Sequence, residues 1–510
     1  MDWSSGYVSD VNYTHGYYAG LNPLNLNLAL IHAGIRPPII KNACELGFGQ
    51  GISINFHSAD NSINWAGNDF NPAHVSFAKE LNSTIGNKTL LSDDDFETFC
   101  KYPNLPNFDF IGLHGIWSWV SNSNKSIIIE FIKNKLNVGG VVYVSYNSQN
   151  AWASMIPVRD LMTYYANTME PSGSGRIGGI NGALKFIEKL NTVNPKFLET
   201  NPILKQRLKR IQGQNREYLA HEYFNKDWEA VNFGKLNESF SKAKLSYVAP
   251  SNHLNAIDKL NLTKKQLELL AEIKDPVLYQ IIKDFCVNAQ FRAEYWVKGP
   301  RRLTSFDQIN EVRKIRVQLI ENPDQIILKT QGDLGEIELS EKIYNPILDF
   351  LSDFKTKTIA EIESNLKNKE INITLILQSV MILVSKRALG LVQDENVINN
   401  NKSNTENLNK YLINHAFGSD EIHHLVSPRT ISGIVVGRIE KIFIASMLQG
   451  KKHPKEWATF AWETINSQGQ RILKNNEEIN DKIESINFLT EKAEEFDKKR
   501  VPILKALMVL

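Results

Sequence analysis

Over the first three hundred residues, short apolar runs alternate with longer segments whose apolar positions recur at helical spacing. That is the pattern of a mainly parallel sheet with helices on its faces. The first strand ends at Glu45-Leu46 and runs into the turn Gly47-Phe48-Gly49-Gln50-Gly51. Ile63 to Gly67 reads as a second strand ending at Asn68-Asp69, and Thr89 to Leu91 as a third running into Ser92-Asp93-Asp94-Asp95-Phe96. Phe108 to Leu113 is a fourth, leading into His114-Gly115-Ile116-Trp117-Ser118-Trp119, and Gly139 to Tyr146 is a fifth. Nothing directly after Tyr146 supplies the antiparallel pair that would close such a sheet. Leu245 to Ala249 and the alternating run Phe291 to Lys298 are predicted to do so, which ends the first domain at residue 303. Residues 151–216 then form inserted helical hairpins, and apolar faces such as Leu184, Ile187 and Leu190 make them a candidate lid or dimer-forming arm.

The pattern changes after residue 303. Residues 304–393 predict a hairpin around Ile315 to Lys329 followed by helices, with Ile359 to Ile362 and Ile373 to Leu391 spaced as a helix-turn-helix. This is a winged-helix-like middle domain. Lys and Arg do not crowd its second helix, which favours protein packing over DNA reading. Residues 394–409 hold seven asparagines and read as a polar linker. Residues 410–510 form a mostly helical C-terminal domain. The predicted fold class is therefore α/β: a Rossmann-like sheet with a helical insertion, plus two accessory modules.

Composition narrows the function. The 510 residues are 42% hydrophobic and 22% charged, with a formal net charge of +2, so the chain buries a sizeable core and offers no extended electrostatic footprint for nucleic acid. Cys44, Cys100 and Cys286 are far apart and odd in number, which suits a reducing compartment and predicts a cytoplasmic location. The longest apolar stretch, near Ile373 to Val384, is broken by Thr374, Gln378 and Ser379, so no membrane span is expected. The adjacent pair His423-His424 has no third ligand at zinc spacing, and no metal is expected.

The glycine turn carries the chemistry. Glycines let backbone N–H groups approach a ligand at the carboxyl ends of parallel strands. A dinucleotide fingerprint requires a glycine at the place Ile52 occupies, and Glu45 would repel a pyrophosphate. A zwitterionic sulfonium ligand fits both, so S-adenosylmethionine is the expected cofactor, with a glycine-rich turn that binds nothing as the alternative. An acidic Asp69 at the end of strand two suits ribose hydroxyls. Methyl transfer then needs only an acceptor positioned in line with the methyl group and shielded from water. A lysine amine, with a reference pKa of roughly 10.4, must be held neutral there, which an aromatic pocket favours by desolvation. Trp117, Trp119, Tyr13, Tyr17 and Tyr18 are available near the strand tips, and Tyr218, His221, Glu222 and Tyr223 are candidates for closing the pocket. His114, at the tip of strand four, is equally a structural histidine or a substrate-facing one.

Tyr13, Tyr17, Asn22-Pro23, Glu45-Leu46-Gly47-x-Gly49-x-Gly51, Asp69, His114-Gly115-Ile116-x-Ser118-Trp119, Tyr146-Asn147-Ser148 and Tyr218 to Tyr223 together resemble class I S-adenosylmethionine methyltransferases bearing a regulatory domain. With the two further modules the chain is similar to the rickettsial lysine methyltransferases that modify an outer-membrane protein. The resemblance covers about residues 10 to 303. It implies a cytoplasmic homodimer with a central open cavity between catalytic and accessory modules, methylating lysines of an unfolded or extended protein at several sites before export, with a lean to trimethylation and S-adenosylhomocysteine as product. By motif position it implies Glu45, Gly47, Phe48, Gly49 and Gly51 around the methionine part and Asp69 and Phe70 at the ribose and adenine. It puts Asp94, Asp95 and Phe96 along the adenine edge and His114 and Trp117 at the transferred methyl; with Tyr17, His221 and Tyr223 from the residue reading these are the candidate catalytic residues, and His114 is also a candidate cofactor contact. Phe48 and Gln50 stand where Cys and Thr are frequent, and Gln149-Asn150 replaces an apolar-Gly step. A small-molecule methyltransferase and a non-catalytic cofactor-binding interaction protein remain the alternatives.

Overall fold

The computed structural model describes residues 6–8, 11, 13–86, 89–169, 173, 175–474 and 477–510. Seven strands form one sheet: β1 (Asn42–Leu46), β2 (Asn64–Asn68), β3 (Leu90–Ser92), β4 (Phe108–Leu113), β5 (Leu136–Asn147), β6 (Leu245–Pro250) and β7 (Phe291–Lys298). Their order is β3-β2-β1-β4-β5-β7-β6. β1 to β5 are parallel, and β7 inserts antiparallel between β5 and β6. The two distant runs thus close the sheet, and a bridge between Ile35 and Arg302 ties down its exit.

Side-chain alternation sorts the strands into two cores. Cys44, Ala66, Ile111, Val142, Val144 and Trp296 face the helices Asn122–Lys135 and Phe233–Ser241. Ala43, Trp65, Phe110, Val141, Tyr143, Tyr295 and Val297 face the opposite layer, which includes helices Pro23–His32, Ile52–Ser58 and Pro72–Ser83. Both faces are buried, so the strands read as nearly continuous apolar runs.

Between β5 and β6 stand helices Ile156–Thr168, Gly175–Thr192, Pro202–Gln212 and Arg216–Tyr223, packed in a core of their own around Ile180, Leu184, Ile187 and Leu208. In the middle module, the strand Arg316–Leu319 lies between Lys357–Thr358 and Leu389–Leu391. The hairpin expected around Ile315 to Lys329 is displaced: the buried Val317 and Leu319 take distant partners, and the local hairpin is Lys329–Gly332 with Gly335–Glu338.

The polar linker at 394–409 is a correction, since these residues belong to a helix, Glu395–His415. Asparagine is a poor helix former because its amide competes for backbone groups. Here the amides bond to other elements instead. Asn401 accepts from the Asn61 N–H at 2.9 Å and donates to Asp60 at 3.0 Å. Asn404 donates to the Asn61 side chain at 2.9 Å, and Asn409 both donates to and accepts from Val426 at 2.8 Å.

The modules share cores. Ile52, Phe56, Leu81 and Ile85 of the sheet domain are buried in one cluster with Leu408, Leu412, Ile434, Phe443 and Leu504, while Leu28, Ile31 and Ile257 join the core of the middle module. Among the described residues no helix is long and apolar enough to cross a membrane, and no three His, Cys, Asp or Glu side chains gather as a metal site.

Candidate active site

The turn after β1 is built on left-handed glycines. Gly47, Gly49 and Gly51 have φ of 69°, 58° and 73°, a region other residues avoid. A Cβ on Gly47 would lie 2.2 Å from Ile116 Cδ1, and one on Gly51 would lie 2.5 Å from Ala78 Cβ. Asp69, just past β2, holds the turn: its carboxylate accepts from Gly49 N at 2.9 Å, Asn71 N at 3.1 Å and the His74 ring at 3.1 Å. Glu45 is 2% exposed and its Oε2 has no hydrogen-bond partner among the described residues. Burial, with help from Asp69, pushes its carboxyl up to about 8. A buried carboxylate oxygen without a donor costs free energy until a donor arrives.

Two cavities open at the carboxyl ends of the strands. The first, about 170 Å³, is lined by Gly47, Asp69, Phe70, Asp95, Phe96 and Ile116 among others. The second, about 330 Å³, is walled by Tyr13, Tyr18, His114, Tyr218, His221 and Phe291, with Glu222, Asn147 and Gln290 as further polar groups. Both are bounded by Tyr7, Gly115 and Trp119, so the cavities adjoin. His114 stacks on Tyr18 with ring centroids 3.6 Å apart and bonds through Nδ1 to the Tyr143 hydroxyl at 2.8 Å. Burial pushes its pKa down to about 3, which keeps the ring neutral. Burial likewise lifts Glu222 to about 7, opposed by a bond from Asn147 Nδ2 at 3.1 Å and by the charge of Arg207.

Several expected site residues lie elsewhere. Tyr17 is packed against Phe56, His57 and His424 in the core shared with the C-terminal module. Tyr18, its neighbour on extended backbone, projects to the other side and lines the second cavity, as alternation requires. Trp117 is 2% exposed, edge-on to Phe240 in the core behind the sheet. A turn closed by Trp119 N on Ile116 O brings Trp119 to the cavities in its place. On the helix Arg216–Tyr223, positions 218, 221 and 222 share a face because of the helical repeat, while Tyr223 lies a further step round and packs on Trp152. Phe48 is buried in the core beside Gly67. Asp94 bonds to Ser92 and Tyr102, while Asp95 caps the following short helix at the cavity wall.

Tyr7, Gln290 and Phe291 escaped the sequence reading. Phe291 pairs with Asn147 in the sheet register, and a large apolar side chain at the first position of a strand was the available sign. Tyr7 precedes the sheet and carries no local signal.

The strand order, the glycine turn and the paired cavities define the class: this is the fold of the class I S-adenosylmethionine methyltransferases. Residues 215–298 match the family model described as a predicted methyltransferase regulatory domain. They comprise the cavity-facing helix, β6, β7 and what lies between. The uncharacterized protein sll1526 of Synechocystis sp. is 35% identical over 513 residues, covering 99% of each chain, and the chain belongs to one family with it. The uncharacterized protein RP789 of Rickettsia prowazekii is 24% identical over 60% of this chain and 55% of its own. Among solved structures, PKMT2 from Rickettsia typhi in complex with AdoHcy superposes with a TM-score of 0.70 at 18% identity, over 98% of this chain and 99% of that one.

Proposed function

We propose that this protein is an S-adenosylmethionine-dependent methyltransferase that methylates lysine side chains of a protein substrate. The observation carrying the reading is the pair of adjoining cavities, one at the glycine turn and one walled by aromatic side chains. The solved relative of this fold was obtained in complex with AdoHcy, and the residues here suit the same donor. The Glu45 carboxyl, whose Oε2 has no partner among the described residues, is chemically matched to an α-amino group, the glycine turn to the methionine portion, and Asp69 and Phe70 to the ribose and adenine. Bound there, the donor supplies an electrophilic methyl group. Tyr13, Tyr18, His114 and Trp119 supply a desolvated, π-rich wall that favours a neutral amine over its hydrated cation and accommodates a methylated ammonium.

The protein-lysine assignment rests on the resemblance to rickettsial lysine methyltransferases and on two accessory modules larger than a metabolite enzyme needs. On this reading the enzyme is a cytoplasmic homodimer. It acts at several lysines of an outer-membrane protein in an unfolded or extended state, with trimethylation as the end point. Incubation with methyl-labelled S-adenosylmethionine and denatured outer-membrane protein, followed by mass spectrometry, should place label on lysines. Label confined to a metabolite or to nucleic acid would overturn the assignment.

A further inference from the structure

Among the described residues the second cavity is lined by one carboxylate, Glu222, and its two oxygens are not equivalent. Oε1 accepts from Asn147 Nδ2 at 3.1 Å, which fixes the side chain against the end of β5. Oε2 has no hydrogen bond within the described chain. The titratable groups around it come from four segments. Tyr218, His221 and Tyr223 stand on its own helix, Arg207 on the helix Pro202–Gln212, Tyr13 on the N-terminal segment and His114 at the tip of β4. The tyrosines are held protonated, since burial and neighbouring charge raise them, and His114 is neutral. Arg207 is a cation beside them: its guanidinium lies 3.9 Å from the Trp152 ring centroid, bonds through Nη1 to Ala151 O at 3.2 Å and keeps Nη2 without a hydrogen-bond partner among the described residues.

On the lysine reading above, we propose that Glu222 is the base that takes the proton from the incoming ammonium group, so that the cavity admits a cationic amine and presents it as a nucleophile. The proton passes from the ammonium nitrogen to Oε2. The freed lone pair forms the new N–C bond to the methyl carbon while the C–S bond opens and its electron pair stays on sulfur, so the positive charge moves from sulfur to nitrogen. The carboxyl then releases its proton to water. Each round therefore carries one methyl to nitrogen and frees one proton. The methylated product is again an ammonium ion with a proton to give, so the same carboxylate serves a second and third round.

Glu222→Gln tests this because it retains the acceptor for Asn147 and cannot take the proton. The probe is an unstructured peptide with a single lysine. With the natural enzyme, transfer should rise tenfold per pH unit up to about pH 7 and then level, since a carboxyl titrating there is basic above that pH. With Glu222→Gln the rate at pH 7 should fall by roughly 10²- to 10⁴-fold, the range of a lost general base. The levelling near pH 7 should vanish, the rate climbing towards the amine's own pKa. Peptide affinity in the presence of S-adenosylhomocysteine should tighten through pH 7 for the natural enzyme and stay flat for the variant. S-adenosylmethionine affinity should be unchanged, which certifies the fold, and Glu222→Asp should restore part of the rate with its inflection. A Glu222→Gln enzyme that keeps the natural rate, or one slowed equally at every pH with its inflection intact, overturns the proposal. A natural enzyme that labels another acceptor and never lysine removes the functional reading itself, and the base with it.

Discussion

At the residue scale the glycine turn keeps one buried group, Glu45 Oε2, without a partner among the described residues. Burial raises Glu45 to about 8 from an ordinary 4.5. Its contribution to folding is therefore complete below about pH 4.5 and is lost as pH rises through 8, the sign for a raised acid. With the cofactor's α-amino group placed beside Glu45 as proposed, that cation reverses the preference, and binding below pH 8 releases a proton. S-adenosylmethionine affinity should strengthen between pH 6 and 8, by at most about tenfold per unit, and level above. The calorimetric enthalpy at pH 7 should vary with buffer ionisation heat, and Glu45→Gln should abolish this variation. Asp69→Ala removes the acceptor for Gly49 N, Asn71 N and His74 at once and should weaken cofactor binding at least tenfold by equilibrium titration; unchanged affinity would mean that the end of β2 is not the ribose site. The glycine turn and the acids at the strand ends were legible in the sequence because each is demanded locally, by a positive φ or by a strand end. Which of two neighbouring aromatics faces the cavities was not. Trp117 and Trp119 are both conspicuous, but the turn at Gly115 to Trp119 assigns one to the core and one to the cavity. Trp117→Ala should cost about 3–5 kcal/mol of stability in a denaturant titration. Trp119→Ala should leave stability near its natural value and depress methyl transfer at least tenfold.

At the scale of elements, period-two and helical patterns located every strand of the large sheet, including the closing pair separated from β5 by about a hundred residues. They failed where an element is stabilised by distant partners. The helix Glu395–His415 has an Asn-rich sequence of low intrinsic helicity, and it forms because Asn401, Asn404 and Asn409 find acceptors and donors on the loop after helix Ile52–Ser58 and on Val426. Ser403→Pro distinguishes the two readings: a linker would tolerate it, whereas the helix should lose about 3 kcal/mol or more, measured as a lowered unfolding midpoint. The displaced hairpin of the middle module has the same cause, since Val317 and Leu319 gain more from burial beside Leu389 and Leu391 than from a local turn.

For the whole molecule, the accessory modules are continuous with the sheet domain. The helix that follows the glycine turn is buried from behind by the C-terminal module through Ile52 and Phe56. A chain ending at residue 303 exposes that face along with Leu28 and Ile31, so it should unfold at lower denaturant and bind S-adenosylmethionine more weakly than the full chain. Unchanged stability and affinity would show that the shared cores are dispensable. The same arrangement explains Tyr17, a conspicuous aromatic beside the site that serves as a strut between modules, with its hydroxyl bonded to Asn22 and His57.

The sequence by itself determined the α/β sheet, its delayed closure, the glycine turn and the acids at successive strand ends. Each of these is written in backbone geometry or short-range periodicity, where neighbouring residues carry the whole requirement. Tertiary structure alone decided which side chains line the second cavity, that Tyr7 and Phe291 belong to it, that Glu222 is held there by Asn147, and that an asparagine-rich stretch is a helix. Those outcomes depend on contacts between segments far apart in the chain, and local periodicity holds no information about them.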